Sequence, residues 1–147
     1  MVESILIVCT ANICRSPLAQ VILADLLPNK QVLSAGVLVE DLALNKQGAA
    51  NYCVSLAKRN GFDLSQHQAK PISKELIENA DLILVMNHEQ LEVVSKLASG
   101  ARAKTLLFGQ WIGQGDIFDP YGQDMLSFER CYKTLKKAAH SWQRRLA

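Results

Sequence analysis

No apolar run in this 147-residue chain approaches the roughly 20 residues that cross a bilayer, and its first residues lack a charged stretch followed by a signal-like core. Both absences argue against membrane insertion or export. Charge of one sign is also lacking: the net charge is +2, and the basic residues are scattered, which gives no basis for nucleic-acid binding. The one concentration (Lys133, Lys136, Lys137, Arg144 and Arg145) reads more readily as a solvated helix face than as a docking patch. Cysteines number only four, too sparse for a disulfide framework and without zinc-ligand spacing. The expectation is a cytoplasmic protein with no metal and no cofactor. Linkers, repeats and low-complexity segments are absent too, and 49% apolar content over this length predicts one globular domain, residues 1–147.

What is present is an alternation of strands and helices. Apolar strands are expected at 4–8, 31–35, 82–86 and 104–108, four in all. Between them, helical spacing runs from Leu18 to about Leu27, where Pro28 stops it, and from about Lys46 to Asn60, closed by Gly61. Further helices are expected over 73–80 with Ser73 as N-cap, from Asn87 to about Ser99, and from Ser127 to Leu146. The last would bury Phe128, Cys131, Leu135, Ala139, Trp142 and Leu146. Residues 37–45 are ambiguous, and 109–122, with four of the eight glycines, read as a loop. Strands apolar throughout and alternating with helices indicate an α/β fold, a parallel sheet flanked by helices on both faces. Ligands in such sheets bind beyond the carboxyl ends of the strands.

One segment lies at such an end. Ile5-Leu6-Ile7-Val8 is followed by Cys9-Thr10-Ala11-Asn12-Ile13-Cys14-Arg15-Ser16 and then Pro17. Pro17 suits the first position of a helix and Ser16 its N-cap. So short a loop can turn the N–H groups of residues 10–15 inward as an anion-binding nest, with the helix dipole behind it. Cys9 would then lie on the floor of a phosphate-sized cup and Arg15 would clamp the phosphate at its rim. Surroundings of this kind favour thiolate over thiol and make a nucleophile at neutral pH. The Cys-x5-Arg spacing is weak evidence alone, since Cys53 and Arg59 repeat it inside a helical stretch where six positions rotate the side chains apart. Only the first copy has strand, loop and helix start where a phosphate site needs them.

A cysteine nucleophile attacking phosphorus leaves an alkoxide or phenoxide that needs a proton. Asp119, in Asp116-Ile117-Phe118-Asp119-Pro120-Tyr121, is the candidate acid, with Pro120 stiffening its aim and Phe118 and Tyr121 excluding water. Asp-Pro is equally ordinary turn chemistry, and the residues alone leave both readings open. Asp116 and Asp124 read as turn or cap residues.

At Cys9, Asn12, Cys14, Arg15, Ser16 and Pro17 the chain resembles the low-molecular-weight protein tyrosine phosphatases, whose signature is Cys-x-Gly-Asn-x-Cys-Arg-Ser-Pro after an apolar strand. The departure is Ala11 in place of glycine; positive φ there would strain an alanine. The resemblance runs nearly end to end. Ser34-Ala35-Gly36, the stretch from Ala80 to Met86 and Leu107 to Trp111 are similar to the bacterial exopolysaccharide-associated (Wzb-type) branch. It implies the phosphotyrosine protein phosphatase I-like fold over 1–147. It also implies Asp119 as general acid and then base, a phosphocysteine intermediate, and Ser16 donating a hydrogen bond to the Cys9 sulfur. The backbone of Thr10, Ala11, Asn12, Ile13 and Cys14, with Arg15, would hold the phosphate. Asn12 would be braced by Ser34 and His67, although His67 alone reads equally as an exposed loop histidine. No metal is implied.

Further implications concern substrate and partner. A deep cup admits phosphotyrosine but not phosphoserine, and Ile13 stands where phosphoarginine-specific relatives carry threonine. The implied partner is a phosphotyrosine protein, the cytoplasmic tail of a membrane tyrosine autokinase that controls capsule or exopolysaccharide production. Residues 37–45 lack the aromatic platform of eukaryotic-type members, and Leu38 and Leu44 are expected at the mouth instead. Cys14 is either plain packing or a resolving thiol for Cys9, while Cys53 and Cys131 are expected to be structural. Two other classes compete: a thiol-dependent arsenate reductase, for which Cys53 and Cys131 look poorly placed, and a non-catalytic phosphate-binding module.

Overall fold

The computed structural model describes all 147 residues. Strands β1 (Ser4–Cys9), β2 (Gln31–Gly36), β3 (Leu82–Val85) and β4 (Thr105–Leu107) form one parallel sheet in the order β2-β1-β3-β4. Helices α1 (Arg15–Leu26), α2 (Asn51–Arg59), α3 (Lys74–Asn79), α4 (His88–Leu97) and α5 (Met125–Leu146) complete the fold. Because successive strand side chains point to opposite faces, Ile5, Ile7 and Cys9 join the larger apolar cluster with residues of α1, α2 and α5, whereas Leu6 and Val8 join the smaller one with residues of α3 and α4. The expected α/β architecture with both sheet faces covered is therefore what forms. No helix is long and apolar enough to cross a membrane.

Several boundaries differ from the sequence reading. Arg15, not Pro17, opens α1; Cys14 is its N-cap without a side-chain bond, and Ser16, already inside the helix, turns its hydroxyl to Cys9. The helix expected from Lys46 starts only at Asn51. Lys46 sits in a turn with φ +68°, and residues 47–50 form no helix: Lys46 N–H bonds Ala69 O at 2.8 Å, Ala69 N–H bonds Gln47 O at 2.7 Å, and Ala50 N–H bonds Ile13 O at 2.7 Å. Those bonds tie the segment to Ala69 and, through Ile13, to the Cys9 loop, and outweigh its helix propensity. Helix α5 begins two residues before Ser127, because Asp124 caps it by accepting from Ser127 N–H at 3.0 Å. Leu146 is only partly buried, and Tyr132 and Ala138 enter the core with the expected residues. The ambiguous 37–45 stretch is a run of turns whose Val39 is fully buried against Ile13 and Ala69.

Three strand ends converge on the Cys9 loop. Cys9 is paired in register with Gly36, and Ile117 N–H bonds Met86 O at 2.8 Å, which returns the glycine-rich loop to the carboxyl end of β3. Gly36 is needed for close approach: a Cβ there would lie 2.8 Å from Thr10 O and 2.9 Å from Asn12 N. Those neighbours are backbone and cannot swing aside. Gly36→Ala is therefore expected to cost about 1–3 kcal/mol in denaturant unfolding and to depress activity further by pushing the loop off its position. An unchanged midpoint would mean the loop is free to move.

Candidate active site

The Cys9–Ser16 loop is shaped by Asn12. Its φ of +56° puts it in the left-handed region, which asparagine tolerates. Ala11 is not among the residues with positive φ, so alanine in place of glycine there carries no strain of that kind. Asn12 is fully buried and all its polar groups are engaged. Its side-chain amide donates to Ser16 Oγ at 2.7 Å and Ser34 Oγ at 3.0 Å, and its Oδ1 accepts from Lys70 N–H at 2.9 Å. His67 Nε2 meets the Asn12 carbonyl at 2.6 Å, and Ser34 Oγ–H donates in turn to Gln20 Oε1 at 2.6 Å. Ser34 and His67 thus both brace Asn12.

That turn aims donors at sulfur. Asn12 N–H lies 3.3 Å from Cys9 Sγ and Ser16 Oγ 2.9 Å from it. Because Ser16 Oγ already accepts from Asn12, its hydrogen is free to point at the sulfur. Two such donors stabilise a thiolate more than a thiol.

Arg15 is 3% exposed and held at three points. Nη1 donates to Ile117 O at 2.9 Å, Nη2 donates to Thr10 Oγ1 at 3.0 Å, and Nη2 lies 3.5 Å from Asp119 Oδ2. Thr10 Oγ1 also accepts from Gln90 Nε2 at 3.1 Å, so its own hydrogen remains for the cavity that Thr10 lines. Asp119 closes the far side. Its Oδ1 accepts from Tyr121 N–H at 3.0 Å, an Asx turn across Pro120, while its carboxyl is 42% exposed. The turn reading of Asp-Pro and the cavity-facing reading hold together.

The cavity between these groups has a volume of about 330 Å³. The loop residues Cys9, Thr10, Cys14 and Arg15 line it together with the apolar Ala11, Ile13, Leu42 and Leu44 and with Asp119 and Tyr121. Leu44 takes the expected place at the mouth, but its companion is Leu42; Leu38 lines a different hollow beside Gln90. Phe118 does not shield the site. It is 75% exposed and, with the buried Pro120, borders a neighbouring hollow. No three His, Cys, Asp or Glu side chains are grouped to hold a metal ion.

Three contributors were missed in the sequence. Gln90 is 2% exposed, donates to Thr10 and accepts from Met86 N–H at 2.8 Å; a polar residue three positions after the Asn87 cap, on the apolar face with Leu91 and Val94, was the available signal. The Ile117 carbonyl gives no residue-type signal. Cys53 was assigned to packing alone, yet its Sγ lies 3.0 Å from Cys14 Sγ. The Cys14 thiol is pushed far up by that hydrogen bond and by burial, and burial pushes Cys131 up to about 12.

A sequence model of the family described as low molecular weight phosphotyrosine protein phosphatase matches residues 4–147. The chain belongs to that family. It is 40% identical over 145 residues to the Escherichia coli K12 low molecular weight protein-tyrosine-phosphatase Etp, spanning 99% of this chain and 95% of Etp. It is 37% identical over 146 residues to Wzb of the same strain, spanning 99% and 97%. The structure of Vibrio vulnificus Wzb in complex with benzylphosphonate superposes with a TM-score of 0.96 at 42% identity, covering 99% of this chain and all of that one. Cysteine-based phosphatase chemistry is characteristic of this family, and this phosphatase has the family's loop.

Two outcomes follow for the phosphatase. Removing the Ser16 hydroxyl deletes one charge-assisted donor to sulfur, about 1.5 kcal/mol, so Ser16→Ala is expected to lower kcat about tenfold, read in steady-state assays of an aryl phosphate. Burial lowers the His67 pKa, and the Asn12 carbonyl accepts only from a protonated Nε2, which fixes the neutral Nε2–H tautomer. The unfolded chain takes up a proton near pH ~6.5 that the folded one resists, so this contribution is complete above that pH and is lost as pH falls through the lowered folded value. Thermal unfolding should show wild type losing stability below pH ~6.5 relative to His67→Gln; parallel curves would exclude it.

Proposed function

We propose that this chain hydrolyses phosphotyrosine in two steps, with Cys9 as nucleophile, Arg15 as phosphate clamp and Asp119 as general acid and base. The observation that carries the reading is one cavity lined by Cys9, whose sulfur has two donors on it, and by an Arg15 guanidinium whose orientation is fixed by Thr10 and Ile117 and which lies 3.5 Å from the Asp119 carboxylate.

The thiolate attacks phosphorus in line. The P–O bond to the phenol breaks, and Asp119 Oδ2–H gives its proton to the departing oxygen. Asp119, now a carboxylate, takes a proton from a water that attacks the phosphocysteine, and the sulfur leaves as thiolate stabilised by Ser16 and Asn12. The phosphoryl group is held by the N–H groups of residues 10–15, the Arg15 guanidinium and the Thr10 hydroxyl. A loose phosphoryl transition state is lowered mainly by such fixed donors.

The apolar walls suit the ring of an aromatic ester. The relatives named Wzb and Etp support a finer reading, in which the substrate is the tyrosine-phosphorylated cytoplasmic tail of a membrane autokinase of capsule or exopolysaccharide production, and the phosphatase acts in the cytoplasm.

Cys9→Ser is expected to abolish aryl phosphate hydrolysis. Asp119→Asn should slow phenyl phosphate about 10²–10⁴-fold, the range for lost general acid catalysis, and slow an ester with an acidic leaving group far less. Equal slowing of both would remove Asp119 from the acid role. Capture with Cys9→Ser from lysate should retain a tyrosine-phosphorylated autokinase; capture of unrelated phosphoproteins would remove the partner.

A further inference from the structure

Helix α4 starts with a regular cap and then breaks the pattern. Asn87 is the N-cap, and its Oδ1 accepts from Gln90 N–H at 2.8 Å. A glutamine three residues past the cap can reach back and accept the cap's own backbone N–H, closing a capping box. The Gln90 side chain goes elsewhere. Its Oε1 accepts from Met86 N–H at 2.8 Å, and its Nε2 donates to Thr10 Oγ1 at 3.1 Å. The residue is 2% exposed, beside Leu91 and Val94 on the buried face of the helix. Burying an amide there is costly unless both ends are bonded, and an apolar residue would need no partners. The two bonds are what distinguish glutamine from an apolar residue here, and one of them ends on the catalytic cavity.

The direction of that bond is fixed. A backbone N–H only donates, so the end of the amide that meets Met86 is oxygen and the end that faces Thr10 is N–H. Thr10 itself borders two hollows. It lines the catalytic cavity with Cys9 and Arg15, and it lines a second hollow of about 230 Å³ with Gln90, Asn87 and Leu38. Its hydroxyl has two lone pairs and one hydrogen. Arg15 Nη2 meets one lone pair at 3.0 Å and Gln90 Nε2 the other at 3.1 Å. Neither donor can accept in return.

We propose that Gln90 is a positioning residue of the phosphate clamp: its N–H holds Thr10 Oγ1 as a double acceptor and so turns the Thr10 hydrogen into the catalytic cavity, toward a phosphoryl oxygen. This deepens the reading of the cavity as a phosphotyrosine site and rests on it. Gln90 does not line the catalytic cavity, so it acts through Thr10.

Substitutions at this position separate orientation from packing. With an apolar side chain, one lone pair of Thr10 is empty and the hydroxyl is free to rotate toward the second hollow. With a carboxylate, the bond reverses. One oxygen still accepts from Met86 N–H, but the other can only accept, so it draws the Thr10 hydrogen away from the phosphoryl group. A carboxylate has nearly the shape of the amide, so packing alone ranks glutamate as the mild substitution and methionine as the severe one. Hydroxyl orientation ranks them the other way. The charge of a glutamate also repels phosphate, and that effect survives without the Thr10 hydroxyl, whereas the reversed bond does not.

The test measures kcat/KM for an aryl phosphate, and binding of inorganic phosphate by calorimetry, for Gln90→Met and Gln90→Glu alone and each combined with Thr10→Val. Thermal unfolding confirms that every variant compared is folded. Thr10→Val alone is expected to lower kcat/KM about tenfold, the loss of a hydrogen bond to a charged group. Gln90→Met should lower it about 2- to 10-fold, and Gln90→Glu further than that. On top of Thr10→Val, Gln90→Met should cost less than about twofold, and Gln90→Glu much less than it costs alone. Equal costs with and without the Thr10 hydroxyl overturn the role, as does a Gln90→Glu variant more active than Gln90→Met. If Gln90→Met does not fold, the cycle with Gln90→Glu, which keeps the bond to Met86, decides. Wild type that binds phosphate but hydrolyses no aryl phosphate would sink the phosphatase reading instead, and the same cycle read in phosphate binding would still decide Gln90.

Discussion

Asn12 in the left-handed conformation is the constraint on which the Cys9 loop depends. Turning the backbone at this point lets Asn12 N–H face sulfur while the Asn12 carbonyl faces away to His67. A buried left-handed residue costs of order 1–3 kcal/mol unless its surroundings over-determine it. Here every polar group of the side chain is bonded, to Ser16, Ser34 and Lys70, so unwinding the turn would strand several buried donors and acceptors at once. Each stranded group costs about 1–3 kcal/mol, which together exceeds the strain. The amide therefore works as a brace that keeps hydrogen-bond donors aimed at one atom.

The sheet supplies what the loop cannot. Sulfur sits at the last residue of β1 on the face that packs against α1, α2 and α5, so its base is rigid. Gly36 at the end of β2 lets the neighbouring strand come close enough to wall the turn, and the loop after β4 returns to Met86 to deliver the Ile117 carbonyl and Asp119 together. Arg15 links these parts. It touches Thr10 at the loop start, Ile117 on the returning loop and Asp119 beside it, so the distance between base and far wall is set by one planar group with its donors in a fixed fork. Gln90 extends this order into α4 through Thr10.

The parts of this architecture legible in the sequence were those written in side-chain periodicity and cap chemistry. The four apolar strands, Ser73 and Asn87 as caps, and the Cys9–Ser16 loop between strand and helix all follow from local rules that tertiary contacts did not override. What local rules could not convey were bonds made by backbone across long separations. Residues 46–50 were expected to open a helix, yet bonds to Ala69 and Ile13 hold them out of one. Pro17 and Ser16 satisfy a helix-start pattern, but the demand for a donor at sulfur places Ser16 inside the first turn with its hydroxyl turned outward from the helix. Leu42 replaced Leu38 at the mouth because the turns of 37–45 set which side chains face inward, and no periodicity governs turns. The Cys14–Cys53 contact joins residues 39 apart in sequence, and nothing in either neighbourhood signals it.

The cavity separates two tasks by chemistry. In the proposed reaction the loop N–H groups, Arg15 and Thr10 would meet the phosphoryl oxygens whatever group they are attached to, so they would not distinguish one ester from another. Preference for one ester over another must come from the wall, where Ala11, Ile13, Leu42, Leu44 and Tyr121 present apolar surface. Burying an aromatic side chain is worth about 1.5–3 kcal/mol, roughly 10- to 150-fold in affinity, and a serine ester has no such surface to bury. An ester without a ring would also have to bring its own peptide backbone against these apolar side chains, which offer no hydrogen bonds in return for its desolvation. Under the proposed reading the two effects act in the same direction: apolar surface that rewards an aromatic group penalises an ester without one.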